Sequence, residues 1–281
     1  MSGVTLQVTE TISKRLGSVL IVGGGRMGTA ICAGLLNIEG MTPARITVAN
    51  PGEAKRVALS SEYGVNTVAD ATAALPADTV ILAVKPDVVC EVARSLSEAG
   101  LRDALVVSVA AGVSTDKIAA ALGGNAQVVR VMPNTPLLCG FGMSAISGGA
   151  DATPETCELV RELFATMGHA VIVDEDKQDI VTAISGSGPA YFELVVETMA
   201  RSGEKLGLDY DTSLELALQT MYGTAALIDK THQDLPAAIE AVSSPGGTTV
   251  AALDAMRSAG LAEALDKGVA AAAARSKELG A

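Results

Sequence analysis

The sequence predicts an α/β protein, a doubly wound parallel sheet followed by an all-helical C-terminal half, on three observations. From Ser18 to about Val131, short β-branched runs alternate with stretches of helical periodicity. Continuous apolar strands separated by helices of this length belong to a parallel sheet covered on both faces. After Asp174 the strand signals stop, and alanine, leucine and glutamate at helical spacing dominate. The 281 residues, 49% of them hydrophobic and 19% charged, supply a sizeable core for one large domain or two ordinary ones.

Residues 1–17 carry charges and no continuous apolar run of the signal-peptide kind, and read as a loose N-terminal extension. A first unit is expected over 18–175. Its strands are SVLIV, RITVA, DTVILAV (counted as the fourth), ALVVSVA and AQVVRV, with helices from Arg26 to Asn37, Gly52 to Tyr63 and Pro86 to Ala99. Two more strands, about Gly142 to Ile146 and Ala170 to Val173, flank a helix from Pro154 to Met167 and are expected to extend the same sheet. A helical unit is expected over 176–281, broken at Gly186–Pro189, Gly207–Tyr210, Leu235–Pro236 and Ser244–Gly247. Leu214 to Ile228 and Leu261 to Ala274 are apolar on more than one face, which suits burial in a bundle or between subunits. An intertwined dimer, or a multiple of dimers, is the expectation. Alanine, the best helix former, also allows close packing without any partner chain.

The formal charge of −12, with no block of lysine and arginine, argues against nucleic acid and anionic membrane surfaces as partners. No stretch approaches the ~18 apolar residues of a membrane span. Cys32, Cys90, Cys139 and Cys157 are scattered, with no C-x-x-C and no histidine at metal-ligand spacing. Reduced, buried cysteines, no metal site and a cytoplasmic location are therefore expected.

Val22-Gly23-Gly24-Gly25-Arg26-Met27-Gly28 contains G-x-G-x-x-G directly after a predicted strand and at the start of a predicted helix, the context of a dinucleotide cradle. Gly23 would permit the tight turn, Gly25 the approach of a pyrophosphate, and Gly28 close contact of helix with strand. Where an NAD-binding protein usually offers a carboxylate to the ribose, this chain has Asn50, with Lys55 and Arg56 following. That tilts the expected cofactor to NADPH, with NADH possible, although no arginine directly follows the strand. Ala83-Val84-Lys85-Pro86 and Ala110-Ala111-Gly112 close two parallel strands, where open sheets bind ligands. Pro133 and Asn134, within VMPNTP, could wall the nicotinamide.

Two segments place Ser, Gly and Pro directly before a helical pattern: SGSGPAYFELVVE from Ser185 and SSPGGTTVAAL from Ser243. Unpaired amides and hydroxyls gather at such a helix start and attract anions. Thr248 and Thr249 could present N–H and O–H groups to a carboxylate, or they could simply cap the helix. Neither His169 nor His232 lies in a motif that suggests a general base.

Taken in order and spacing, GGGRMG, AVKP, VMPNTP, SGSGPAYFELVVE and VSSPGGTTVAAL resemble the pyrroline-5-carboxylate reductase family from about Ser18 to the C-terminus. The last two motifs are the more specific. The resemblance implies a Rossmann-like sheet followed by an all-helical C-terminal dimerisation domain. It also implies NAD(P)H-dependent reduction of Δ1-pyrroline-5-carboxylate to L-proline, the last step of proline biosynthesis. Ser243, Ser244, Gly246, Gly247, Thr248 and Thr249 would hold the substrate carboxylate, and Thr249 would bond the ring nitrogen as the catalytic candidate. Two departures stand out: Ala241 where many relatives have asparagine, and ADATAA around Asp70 where some place an asparagine near the cofactor. The competing readings are another NADP-dependent imine or β-hydroxyacid reductase, or a non-catalytic nucleotide-binding sensor. The hydroxyacid enzymes usually depend on a lysine in the helical part, and nothing around Lys205 matches their motif.

Overall fold

The computed structural model describes residues 12–124 and 126–280. Its chain divides into two compact units, residues 1–187 with 272–281, and Gly188–Ala271.

The first unit is built on one eight-stranded sheet of order β3-β2-β1-β4-β5-β6-β7-β8. Its strands are β1 (Val19–Val22), β2 (Ile46–Ala49), β3 (Asn66–Val68), β4 (Thr79–Leu82), β5 (Ala104–Ser108), β6 (Ala126–Met132), β7 (Gly142–Gly148) and β8 (Gly168–Ile172). The first six are parallel, five of them the strands expected and the sixth, β3, one that the sequence did not single out. The last two extend the sheet but reverse direction: β7 pairs antiparallel with β6, and β8 runs parallel to β7. Only a short 3-10 turn, Thr135–Cys139, lies between β6 and β7. A parallel return needs a longer crossover, so the short connection imposes the reversal.

Successive side chains of a strand point to opposite faces. Val19 and Ile21 accordingly join a core with α2 (Arg26–Leu36) and α6 (Pro154–Ala165). Leu20 and Val22 join a second core with α4 (Pro86–Glu98) and α5 (Thr115–Ala121). Helix α3 (Glu53–Tyr63), which follows β2, joins the first core through Leu59 and Tyr63.

The expected loose extension is corrected over its described part. Residues 12–16 form a helix, α1, whose Ile12 and Leu16, one turn apart, are 1% and 0% exposed in the first core. Residues 1–11 lie outside the described residues. Residues 176–187 also pack with the sheet, because the Gln178 amide donates to the Ala145 carbonyl (3.2 Å) and the Ser147 hydroxyl (2.8 Å). The break expected at Gly186–Pro189 is found at Ser187, a bend between two helical elements. Helix α7 (Gln178–Val181) passes into a π-turn, Thr182–Gly186, and α8 (Gly188–Lys205) follows. Pro189 falls in the first turn of α8, where a missing N–H costs no intrahelical bond.

In the second unit α8 packs on α9 (Tyr210–Thr231), followed by α10 (Leu235–Ala241), α11 (Thr248–Ser258) and the start of α12 (Leu261–Gly280). The Tyr210 hydroxyl donates to Glu197 at 2.5 Å, and the Arg201 guanidinium lies 4.4 Å from the Tyr210 ring centroid. Only Gly188, Val196, Ala200, Ser213 and Ala217 are buried here. Phe192, Leu194, Leu216 and Leu218 are all more than half exposed. An apolar surface of this extent in one chain marks an association face.

Candidate functional site

Each glycine of the first motif has a distinct physical task. Gly23 holds φ +107°, and a Cβ there would strike the Ala83 carbonyl. A Cβ at Gly28 would strike the Gly23 carbonyl, so only glycine lets α2 lie this close to β1. Gly25 faces open space and is the N-cap of α2, with no side-chain cap. The first amides of α2 are therefore left for an anion such as a pyrophosphate.

Val22 ends β1, Arg26 is exposed at the first helical position, and Met27 packs against the core rather than outward. Asn50, after β2, accepts a hydrogen bond from Gly24 N–H at 3.2 Å and so braces the glycine turn. Arg56 reaches back from α3, its Nη1 donating to the carbonyls of Asn50 (2.8 Å) and Pro51 (2.7 Å). A fixed guanidinium thus stands at the end of β2 without an arginine directly after the strand.

A cleft of about 700 Å³ opens there, running from Asn50 and Asp70 to Ala83, Val84 and Lys85. Lys85 is the N-cap of α4 and Pro86 its first residue. Ala69, Ala71 and Thr72, from the ADATAA segment that the sequence marks as a departure, also line the cleft. The Asp70 carboxylate accepts from Thr72 N–H at 3.0 Å, and this bond lowers its acid from the usual carboxylate value. Another cavity, of about 680 Å³, touches Asp78, Asp103 and Ala126 at the amino ends of the strands. Open parallel sheets bind ligands at the carboxyl ends, so the cleft beside Gly23 is the relevant one.

The other candidates on this unit are less open than expected. Ala110 is buried, and the free face of Gly112 is filled by the last turn of α12. Pro133 is buried, and the Asn134 side chain is committed within the protein. Its Oδ1 accepts from Met143 N–H at 2.8 Å, while Nδ2 donates to the Ser185 carbonyl at 3.2 Å. A Cβ at Gly186 would strike the Met132 side chain, so VMPNTP and SGSG pack directly together. Two cysteines depart from the expectation of burial: Cys90 is half-buried and Cys139 exposed. Burial pushes the Cys32 thiol up to about 11.

In the second unit, the bend before α11 is a turn closed by Gly247 N–H donating to the Ser244 carbonyl at 2.9 Å, with Gly246 at φ +71°. The N-cap is Gly247, which has no side chain, so neither threonine caps the helix. Thr248 and Thr249 occupy the first turn. The Ser243 hydroxyl is spent on the Ile239 carbonyl at 2.6 Å. Among the described residues, the hydroxyls of Ser244, Thr248 and Thr249 have no protein partner. Ala241 ends α10 and is exposed. Sequence reasoning also missed Tyr191, whose buried hydroxyl makes no hydrogen bond among the described residues.

Sheet order, glycine cradle and cleft define a Rossmann-type nicotinamide-nucleotide-binding oxidoreductase with an all-helical second unit. A family model described as pyrroline-5-carboxylate reductase dimerisation matches residues 175–279, and one described as NADP oxidoreductase, coenzyme F420-dependent, matches 18–112. The pyrroline-5-carboxylate reductase of Corynebacterium melassecola is 38% identical over 94% of this chain and 98% of its own. That of Synechocystis sp. is 39% identical over 92% and 97%. The solved pyrroline-5-carboxylate reductase of Coxiella burnetii superposes with TM-score 0.87 at 34% identity, covering 95% of this chain and 99% of its own. That of Plasmodium falciparum with NADP bound gives 0.85 at 28%, covering 95% and 99%. The chain belongs to the pyrroline-5-carboxylate reductase family. The match to the dimerisation model agrees with the exposed apolar faces of α8 and α9 and supports a homo-oligomer. No described helix is long and apolar enough to cross a membrane.

Proposed function

We propose that this reductase converts Δ1-pyrroline-5-carboxylate to L-proline with NADPH, working as a dimer or a multiple of dimers. The observation that carries the substrate side is the uncapped start of α11, where first-turn amides and the hydroxyls of Ser244, Thr248 and Thr249 have no partner among the described residues. Such a group of donors suits a carboxylate. The Ser243 hydroxyl and N–H are both spent, on the carbonyls of Ile239 (2.6 Å) and Glu240 (2.9 Å), so in this reading Ser243 shapes the bend rather than donating to the carboxylate.

The cofactor side fits a nicotinamide dinucleotide. The open face of Gly25 and the uncapped α2 suit a pyrophosphate, and the cleft beside Asn50, Val84 and Lys85 suits the ribose and adenine. The preference for NADPH rests on Asn50 and Arg56: the ribose would meet no carboxylate from β2, and a guanidinium is held beside it. When bound, the reduced nicotinamide supplies the hydride for the imine carbon.

The protein's part is to bind and orient. A protonated imine is already electrophilic, so fixing its carboxylate on the α11 amides and its ring nitrogen against the Thr249 hydroxyl supplies the alignment the reaction needs. The nitrogen keeps its proton and takes the electron pair of the C=N bond as the carbon is reduced, so no histidine is required. The test is NADPH oxidation measured with pyrroline-5-carboxylate and with a panel of hydroxy and keto acids. Activity with the imine supports the reading; activity confined to the panel overturns it.

A further inference from the structure

The last turn of α12 is held by three separate contacts, one with the loop that closes β5, one with α5 and one with α7. Gly112, at φ +78°, lies so close that a Cβ there would sit 3.0 Å from both Gly280 N and the Ser276 carbonyl oxygen. The interlock is mutual, because a Cβ at Gly280 would strike the Gly112 carbonyl. Lys117, on α5, donates through Nζ to the Gly280 carbonyl. Ser276, 3% exposed, donates its hydroxyl to Asp179 Oδ1 at 2.7 Å.

Behind these contacts stands a charged network. Arg130 on β6, 4% exposed, lies 3.6 Å from Glu175 and 3.9 Å from Asp179. Glu175 accepts from Thr115 N–H (2.7 Å) and the Thr115 hydroxyl (2.5 Å) at the start of α5. The segment from Ala110 to Thr115 is thus tied down at two points, Gly112 by α12 and Thr115 by Glu175. A charged network with one hydroxyl removed would leave Asp179 with only the longer Arg130 contact, and buried polar networks lose cooperatively.

We infer that the end of α12 is a latch that positions the Ala110–Gly112 loop, and with it the nicotinamide end of the cofactor site. The inference rests on the proposed cofactor reading, in which the adenosine end lies by Asn50 and Asp70 and the loop after β5 serves the other end. Gly112 and Ser276 are positioning residues here: they act on the loop, not on the reacting atoms. The arrangement also gives the glycine at 112 its reason, which is the approach of a helix rather than of a phosphate.

The test is isothermal titration of the full-length protein with two ligands, NADPH and adenosine 2′,5′-bisphosphate, which lacks the nicotinamide half. Ser276→Ala and Gly280→Ala each loosen the latch, and exposed Lys277→Ala on the same turn is the control. Both latch variants are expected to raise the Kd for NADPH about tenfold and to leave that of the bisphosphate within about twofold, a split that general destabilisation would not produce. Equal weakening of both ligands, or no change in either, overturns the latch. A wild-type protein that binds neither ligand overturns the cofactor reading instead. Should Gly280→Ala fail to fold, Ser276→Ala carries the same comparison.

Discussion

Asn134 donates its side-chain amide to the Ser185 carbonyl at 3.2 Å and to the Ser185 hydroxyl at 3.3 Å, joining two motifs that stand 51 residues apart. The same side chain accepts from Met143 N–H, so one residue fixes the end of β6, the start of β7 and the π-turn before α8. Asn134→Ala leaves three groups without partners and is expected to cost about 1–3 kcal/mol, read as a lower denaturant midpoint. Asn134→Asp keeps the bond from Met143 but sets a carboxylate against the Ser185 carbonyl. Recovery of stability in the aspartate variant would show that the bond to Ser185 does not matter.

Gly28→Ala tests the cradle. Its Cβ would meet the Gly23 carbonyl, so α2 must move away from the turn. The expected outcome is a loss of about 1–3 kcal/mol in stability with a marked loss of NADPH affinity, measured by thermal melting and fluorescence titration. Wild-type affinity in a folded variant would contradict the assigned task of Gly28.

Much of this was legible in the sequence because local chemistry dictated it. Three glycines at fixed offsets between a strand and a helix suit a nucleotide cradle, and five of the six parallel strands announced themselves as β-branched apolar runs, whereas β3, the three residues Asn66–Val68, did not. The reversal of β7 was missed although the short stretch between the predicted β6 and Gly142 already disfavours a parallel return. The burial of Ile12 and Leu16 was missed because two apolar positions one turn apart are too short a pattern to read. Asn134 looked like a wall for the nicotinamide because the sequence could not show that its partner would be Ser185. At the α11 bend, whether Thr248 and Thr249 cap the helix turned on which residue is the N-cap, and only the backbone placed Gly247 there.

Cofactor choice is expected to follow Arg56 and Asn50. Arg56→Ala should weaken NADPH about tenfold while changing NADH little, since only the former carries a 2′-phosphate. Asn50→Asp should move preference in the same direction by repulsion. The check is the ratio of kcat/KM for the two cofactors; an unchanged ratio in both variants would place the ribose elsewhere.

Thr249→Ala should lower kcat about tenfold to a hundredfold, the value of one hydrogen bond to a polar reacting group, with the Kd for NADPH nearly unchanged. Its hydroxyl has no partner among the described residues, and it is not the helix cap, so the fold should tolerate the change. Equal loss of cofactor affinity would contradict a substrate-side role.

The most direct measurement is a crystal structure of the enzyme with NADP and L-proline. The account predicts the proline carboxylate on the backbone amides of Thr248 and Thr249, its ring nitrogen at the Thr249 hydroxyl, and the pyrophosphate on the Gly23–Gly28 turn. A carboxylate seated away from the start of α11, or a nucleotide away from that glycine turn, would contradict it.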